Sequence, residues 1–185
     1  MKLLTLIIFT VGFTTSAFSQ TGRVGIGITT PAALLHVNGE GVLFTATTQD
    51  LQVFPPVQGS GIRMMWFGNR GAFRAGRVTG THWDRDSIGQ YSSAFGYNSK
   101  ASGIGSFAAN YGSSATGNYA TSIGYNNSAT SSAAVALGSG NSATGIYSVA
   151  MGVINQSTAA AATTSGFVNQ ANGDYAVAMG DQNVA

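Results

Sequence analysis

The chain has no cysteine and, among 185 residues, only eight Lys or Arg and six Asp or Glu, so 8% of it is charged. Without cysteine there is no disulfide, no thiolate metal ligand, no Cys nucleophile and no lipid-anchored N-terminal Cys. Charge so far below the usual share of about 25% excludes a charge-rich disordered tail, a coiled coil and a nucleic-acid binder that works by neutralising phosphates. The net charge of +2 includes Lys2, which lies in a segment expected to be removed, so no acidic partner follows from it. No apolar run reaches the roughly twenty residues that a bilayer requires. What the chain has in excess is glycine, 26 residues, about twice ordinary usage.

The one apolar run lies at the start. Met1 and Lys2 give a positive beginning, Leu3 to Phe13 is largely apolar, and Ala17-Phe18-Ser19 has the small residues a signal peptidase reads. Residues 1–19 are therefore expected to be a signal peptide, cleaved after Ser19, with export of the mature chain.

From Gly89 onward the sequence falls into seven blocks of fourteen residues, starting at 89, 103, 117, 131, 145, 159 and 173, the last one clipped. Self-similarity at a fixed period marks a repeat architecture. The eighth position reads Gly96, Gly124, Gly138, Gly152, Gly166 and Gly180, with Asn110 the single exception. Gly and Asn enter the left-handed backbone most readily, so the column predicts a turn. The fifth and seventh positions are mostly apolar (Val135 and Leu137, Val149 and Met151, Val177 and Met179), and the sixth is usually Ala. A period of two predicts a strand. A second short strand is expected around the thirteenth position, from Ala101 to Ala185.

Two strands and two turns per fourteen residues make one coil of an all-β, parallel β-solenoid, and seven coils at about 4.8 Å each rise roughly 34 Å. Residues of one column then stack, and Asn127, Asn141, Asn155, Asn169 and Asn183 are placed to bond as an amide ladder. Asn is also simply a good turn former, and the two readings are compatible. Ala, Ser and Gly facing a narrow lumen bury little apolar surface, at about 25 cal/mol per Å². The fifth and seventh positions, on the opposite face, form a long apolar stripe, which on an exported protein marks an interface. Val135, Leu137, Val149, Met151, Val177 and Met179 are the expected seam of an oligomer.

The blocks GNYATSIGYNNSAT, SSAAVALGSGNSAT and GIYSVAMGVINQST resemble the left-handed β-roll head repeats of trimeric autotransporter adhesins, the YadA-like head family. The resemblance covers residues 89–185. It implies a homotrimer with three rolls side by side, a non-enzymatic adhesive role at the cell surface, outer membrane or in secreted form, and a host matrix protein or glycan as partner. Block six departs from the pattern, with Thr163 and Ser165 in place of the apolar pair. No membrane anchor follows in this chain and it stops inside a repeat, so a fragment or a truncated member is expected.

Upstream, residues 20–58 read as an extended collar and linker. Within them RVGIGITTPAALLHVNG (Arg23 to Gly39) resembles the segment before stalks and heads in tail-fibre-like secreted bacterial proteins, and Pro55-Pro56 punctuates the linker. Gly25-Ile26-Gly27 lacks the third glycine and the preceding strand of a dinucleotide fingerprint. Residues 59–88 hold Arg63, Arg70, Arg74, Arg77 and Arg85, both tryptophans, Trp66 and Trp83, and Asp84 and Asp86. This island is either a cap over the first coil, as solenoid ends require, or a surface patch in which Arg74 and Trp83 bind a sugar or an anionic glycan.

No catalytic constellation stands out. Asp84 and Asp86 are two apart, a spacing that could place both on one strand face as paired carboxylates, but the neighbouring arginines suggest ion pairs. His36 and His82 lack the carboxylate cluster of a metal site, and no cofactor is expected. The fourteenth position (Thr116, Thr130, Thr144, Thr158) supports an alternative function, a solenoid that binds ice or a crystalline polysaccharide.

Overall fold

The computed structural model describes residues 18–20, 23–46, 50 and 52–185. Most of the expected signal peptide, residues 1–17, lies outside them. The chain divides into two compact units, 1–45 and 46–185. In the first, β1 (Phe18–Gln20) pairs antiparallel with β2 (Arg23–Ile26), and β2 pairs parallel with β3 (Leu35–Val37). His36 accepts the Ala32 N–H through Nδ1 at 3.2 Å.

The second unit is a β-solenoid. It opens with a hairpin of β4 (Gly61–Phe67) and β5 (Ala72–Val78). Seven five-residue strands follow: β6 (Ser93–Tyr97), β8 (Phe107–Tyr111), β10 (Thr121–Tyr125), β12 (Val135–Ser139), β14 (Val149–Val153), β16 (Thr163–Phe167) and β18 (Val177–Asp181). Between them run two-residue strands: β7 (Lys100–Ala101), β9 (Ser114–Ala115), β11 (Ser128–Ala129), β13 (Ser142–Ala143), β15 (Gln156–Ser157) and β17 (Gln170–Ala171). The long strands join the hairpin in a nine-stranded sheet and the short ones form a six-stranded sheet. The coils pair parallel at the fourteen-residue offset, with Ala136 beside Ala150 and Leu137 beside Met151.

One coil more than the sequence period announces belongs to the roll. β5 pairs parallel with β6 so that Arg74 stands beside Ala94 and Gly76 beside Gly96. This coil spans twenty residues between equivalent glycines, and its longer loop carries Trp83.

Alternation sends the sixth position inward. Ala94, Ala108, Ala136 and Ala150 of the long strands face Ala101, Ala115, Ala129 and Ala143 of the short ones, all fully buried. Only small side chains fit where two sheets of one coil approach so closely, so the lumen is filled by side chains.

The glycine column requires a correction. Gly96, Gly124, Gly138, Gly152, Gly166 and Gly180 do not form the turns; each lies inside its long strand. Their φ values run from +96° to +122°. A Cβ at Gly138 would stand 2.1 Å from the Gly152 carbonyl oxygen. Glycine is thus required by a bend within the strand and by the carbonyl of the next coil. The chain turns two residues later, where Asn98, Gly112, Asn126, Gly140, Ile154, Val168 and Gln182 all have positive φ, and again at the third position of each block.

Candidate interaction surface

The outward face of the nine-stranded sheet carries the stripe. In the registers of the sheet, one row runs through Trp66, Phe73, Ser93, Phe107, Thr121, Val135, Val149, Thr163 and Val177. A second runs through Met64, Phe95, Ile123, Leu137, Met151 and Met179. The six residues expected at the seam therefore share one face. Val177 and Met179 are more than half exposed and the other four are partly exposed. Thr163 and Ser165 interrupt both rows at β16, as their sequence indicates.

The hairpin lengthens these rows beyond the repeats. Met65 and Phe67 point inward, while Met64 is 78% exposed on the outer face. Phe73, Phe95 and Phe107 form a zigzag with successive ring centroids 5.7 Å apart, so the first end of the face is aromatic. The sequence island of 59–88 concealed this, because its arginines masked an alternation that pairs with the repeats.

A third outward row, also missed, is aromatic at the same end. Tyr97, Tyr111 and Tyr125 stack with centroids 4.7 and 5.2 Å apart, and Arg77 lies 5.8 Å from the Tyr97 ring. The fourteen-residue recurrence of Tyr in the ninth position was the available signal.

Arg74 and Trp83 are not a surface patch. Both are fully buried. Arg74 takes the inward sixth position of the first coil and donates to the carbonyls of Phe73 and Ser92 at 2.8 Å and of Ala101 at 2.9 Å, and to Ser92 Oγ at 2.8 Å. Burial pushes its guanidinium down to about 10. Trp83 donates from Nε1 to the Ser99 carbonyl at 2.8 Å, and packs with Val78 and the first lumen alanines. Arg63 lies over its ring at 5.4 Å. A fork of donors and a flat ring close the end of a lumen whose carbonyls and apolar walls need both.

The two nearby carboxylates are separately engaged. Asp84 accepts the Gly59 N–H at 2.6 Å, and Asp86 pairs with Arg85 at 2.9 Å, which holds the Asp86 carboxyl below its ordinary range. Phe54 lies 4.7 Å beneath the Arg85 guanidinium, and Gln58 accepts the Arg85 N–H, so the Pro-bearing segment is tied to the island.

The asparagine column is a hydrogen-bonded ladder. At each of its four steps from Asn127 to Asn183, the backbone N–H and Nδ2 of one Asn donate to Oδ1 of the Asn in the coil before it, at 2.9–3.1 Å. Ser99 and Ser113 occupy the column in the first two blocks, where each hydroxyl donates to a carbonyl of the next coil.

The family model for the YadA head domain repeat matches residues 87–109, 111–127, 115–141, 129–153 and 165–185. The roll belongs to the YadA head family. Comparison of the chain with curated proteins and with solved structures returned no match. Heads of this family are structural, non-enzymatic parts of trimeric autotransporter adhesins. In this YadA head, residues 154–164 fall between matched stretches, yet β15 and β16 keep the register there. The head also begins one coil before the matched repeats, at β5.

Proposed function

We propose that three copies of this chain pack through the outward rows of the nine-stranded sheet and present a non-enzymatic adhesive head, exported to the cell surface or secreted. The carrying observation is the predominantly apolar outer face that runs from Met64 and Trp66 to Val177 and Met179, broken by polar residues at Ser93, Thr121, Thr163 and Ser165. An apolar face of that length is an interface on a soluble protein, and the alanine lumen gives one thin roll little burial with which to stand alone.

Adhesion on this reading acts through the outside of the roll, toward a host matrix protein or a glycan. The lumen is filled, leaving no room for the several hundred Å³ of a small-molecule site. Between 89 and 185 the only charged side chains are Lys100, Asp174 and Asp181, too few to steer a charged ligand. Many weak contacts repeated over three chains then supply avidity. The test is sedimentation of the purified chain, followed by capture of matrix-coated and glycan-coated beads. A folded, monodisperse monomer overturns the trimer, and a trimer that captures neither bead overturns the adhesive role.

A further inference from the structure

The third position of every block has left-handed backbone: Tyr91, Gly105, Tyr119, Ala133, Tyr147, Ala161 and Tyr175 have φ between +52° and +61°. Tyrosine alternates with a small residue, so the four tyrosines recur on every second coil, roughly 10 Å apart at the interstrand spacing. They are 57%, 65%, 66% and 79% exposed in chain order. Left-handed backbone is uncommon for a bulky side chain, and Gly or Asn serves such a turn with less strain. The turn alone therefore does not account for tyrosine at this position.

For Tyr91 and Tyr119 the residue at this position in the coil before is a glycine, and the ring lies against it. A Cβ on Gly105 would stand 3.1 Å from Cδ1 of Tyr119, and one on Gly71 would stand 3.1 Å from Cδ1 of Tyr91. Each of these two rings rests against the backbone of the coil before it, which holds it in place. Rings two coils apart are too distant to stack on one another. In the Tyr97, Tyr111 and Tyr125 column, by contrast, neighbouring rings cover each other's faces. In the fourteenth position, three residues before the third position of the following block, stand the exposed threonines Thr130, Thr144 and Thr158, of which Thr158 donates its hydroxyl to Asn172 Oδ1 at 3.0 Å.

We propose that this file of tyrosines is a docking site for an extended, neutral, β-1,4-linked glycan. The inference rests on the adhesive reading and specifies its ligand class. In such a glycan alternate sugars are turned over, so the same apolar ring face recurs once per disaccharide, close to the spacing of alternate coils. Tyrosine rings present a face for those C–H groups, flanking hydroxyls meet the sugar hydroxyls, and the near absence of charge suits a neutral polymer. A polyproline II peptide also repeats at roughly 9 Å, but such peptides seat in aromatic-lined grooves, whereas this face has single rings in a file.

The experiment uses the full chain with cellohexaose and chitohexaose as probes and maltohexaose, which is α-linked and coils, as control. Tyr119→Ala with Tyr147→Ala removes two rings, and alanine already occupies this position at Ala133 and Ala161 with the same backbone. The unmutated chain should bind a β-linked hexasaccharide and not maltohexaose. The double alanine variant should bind roughly tenfold to a hundredfold more weakly. The double phenylalanine variant should stay within about twofold, and added salt should have little effect.

The inference is overturned if neither β-linked probe binds, or if the alanine variant binds as well as the parent. It is equally overturned if that variant loses self-association, which would place the rings under a second copy, or if a proline-rich peptide binds through these tyrosines in place of the glycan. Undiminished capture of matrix-coated beads by the alanine variant, with no glycan bound by the parent, removes this inference and leaves the adhesive reading standing. Glycan binding by a trimer that adheres to no coated bead does the reverse.

Discussion

Asn141, buried in the lumen, donates from Nδ2 at 2.8 Å to the backbone carbonyl of Leu137, whose own side chain faces outward on the same coil. The same Nδ2 reaches the Gly152 carbonyl at 2.7 Å. One amide thus fixes the strand that carries the outer row and ties it to the next coil.

Asn141→Ala should lower unfolding free energy by on the order of 3 kcal/mol, because it strands buried carbonyls and the Asn155 N–H, each costing about 1–3 kcal/mol when left unpaired. Asn141→Ser should cost less, since serine already serves this column at Ser99 and Ser113. Urea midpoints of the two variants check this; equal midpoints would remove the ladder as a stabilising feature.

Positive φ has opposite consequences at two positions. Gly138→Ala places a Cβ against the Gly152 oxygen at φ +113° and should cost about 3 kcal/mol or more. Ile154, a β-branched residue at φ +55°, stands in the column that holds Asn126 at φ +50°. Ile154→Asn should therefore raise stability by roughly 1 kcal/mol. Thermal unfolding of both variants should move in opposite directions from the parent.

Arg74→Ala should destabilise the chain by several kcal/mol, on the order of a lost buried network with its cavity, since it removes four side-chain hydrogen bonds and a large fully buried side chain, although the Ser92 and Ala101 carbonyls keep the Phe73 and Gly89 N–H donors. The pH dependence follows from the sign of the shift. Burial lowers the folded value to about 10, well below the ordinary arginine range, so Arg74 is charged in both states up to about pH 9. Its desolvation penalty is full there and lifts only as pH rises through the folded value of about 10 toward the ordinary arginine range. The stability difference between parent and variant should be flat from about pH 5 to 9 by denaturant titration; a slope in that window contradicts the assignment.

Leu137→Asp with Met151→Asp leaves the lumen untouched but places two charges in the proposed seam, at a cost on the order of several kcal/mol. Self-association should be abolished while the β-rich circular dichroism persists. Met64→Asp, outside the repeats, should weaken association as well, because Met64 shares the row. If sedimentation shows Met64→Asp associating like the parent, the interface stops at the repeats.

The roll was legible because its columns are chemically uniform: Ala136 beside Ala150 and Asn127 below Asn141 repeat one environment, and identical environments select identical residues. The extra coil at β5 was hidden because its loop is longer by six residues, which breaks the period between Gly76 and Gly96. Arg74 and Trp83 misled for a different reason: residue type suggests exposure, whereas the end of the lumen offers carbonyl oxygens with room for a second donor and an apolar mouth, which a guanidinium and an indole fill together. The glycine column was identified by residue type but not by role, since sequence alone cannot distinguish a φ demanded by a turn from one demanded by a neighbouring carbonyl.

Coils from Gly89 onward exchange backbone bonds with their neighbours along the stack, as Val135 N–H does with the Ser148 carbonyl of the next coil and Gly140 N–H with the Tyr125 carbonyl of the coil before. Length is therefore a free variable of this architecture. A gene segment encoding fourteen residues can be duplicated or lost in frame with only two new contacts to satisfy, those at the splice. Unequal recombination between neighbouring repeats would change the height of the head in steps of about 5 Å. Because tyrosine returns only on alternate coils, heads that grow by pairs of repeats would keep its spacing, and heads that grow by single repeats would not.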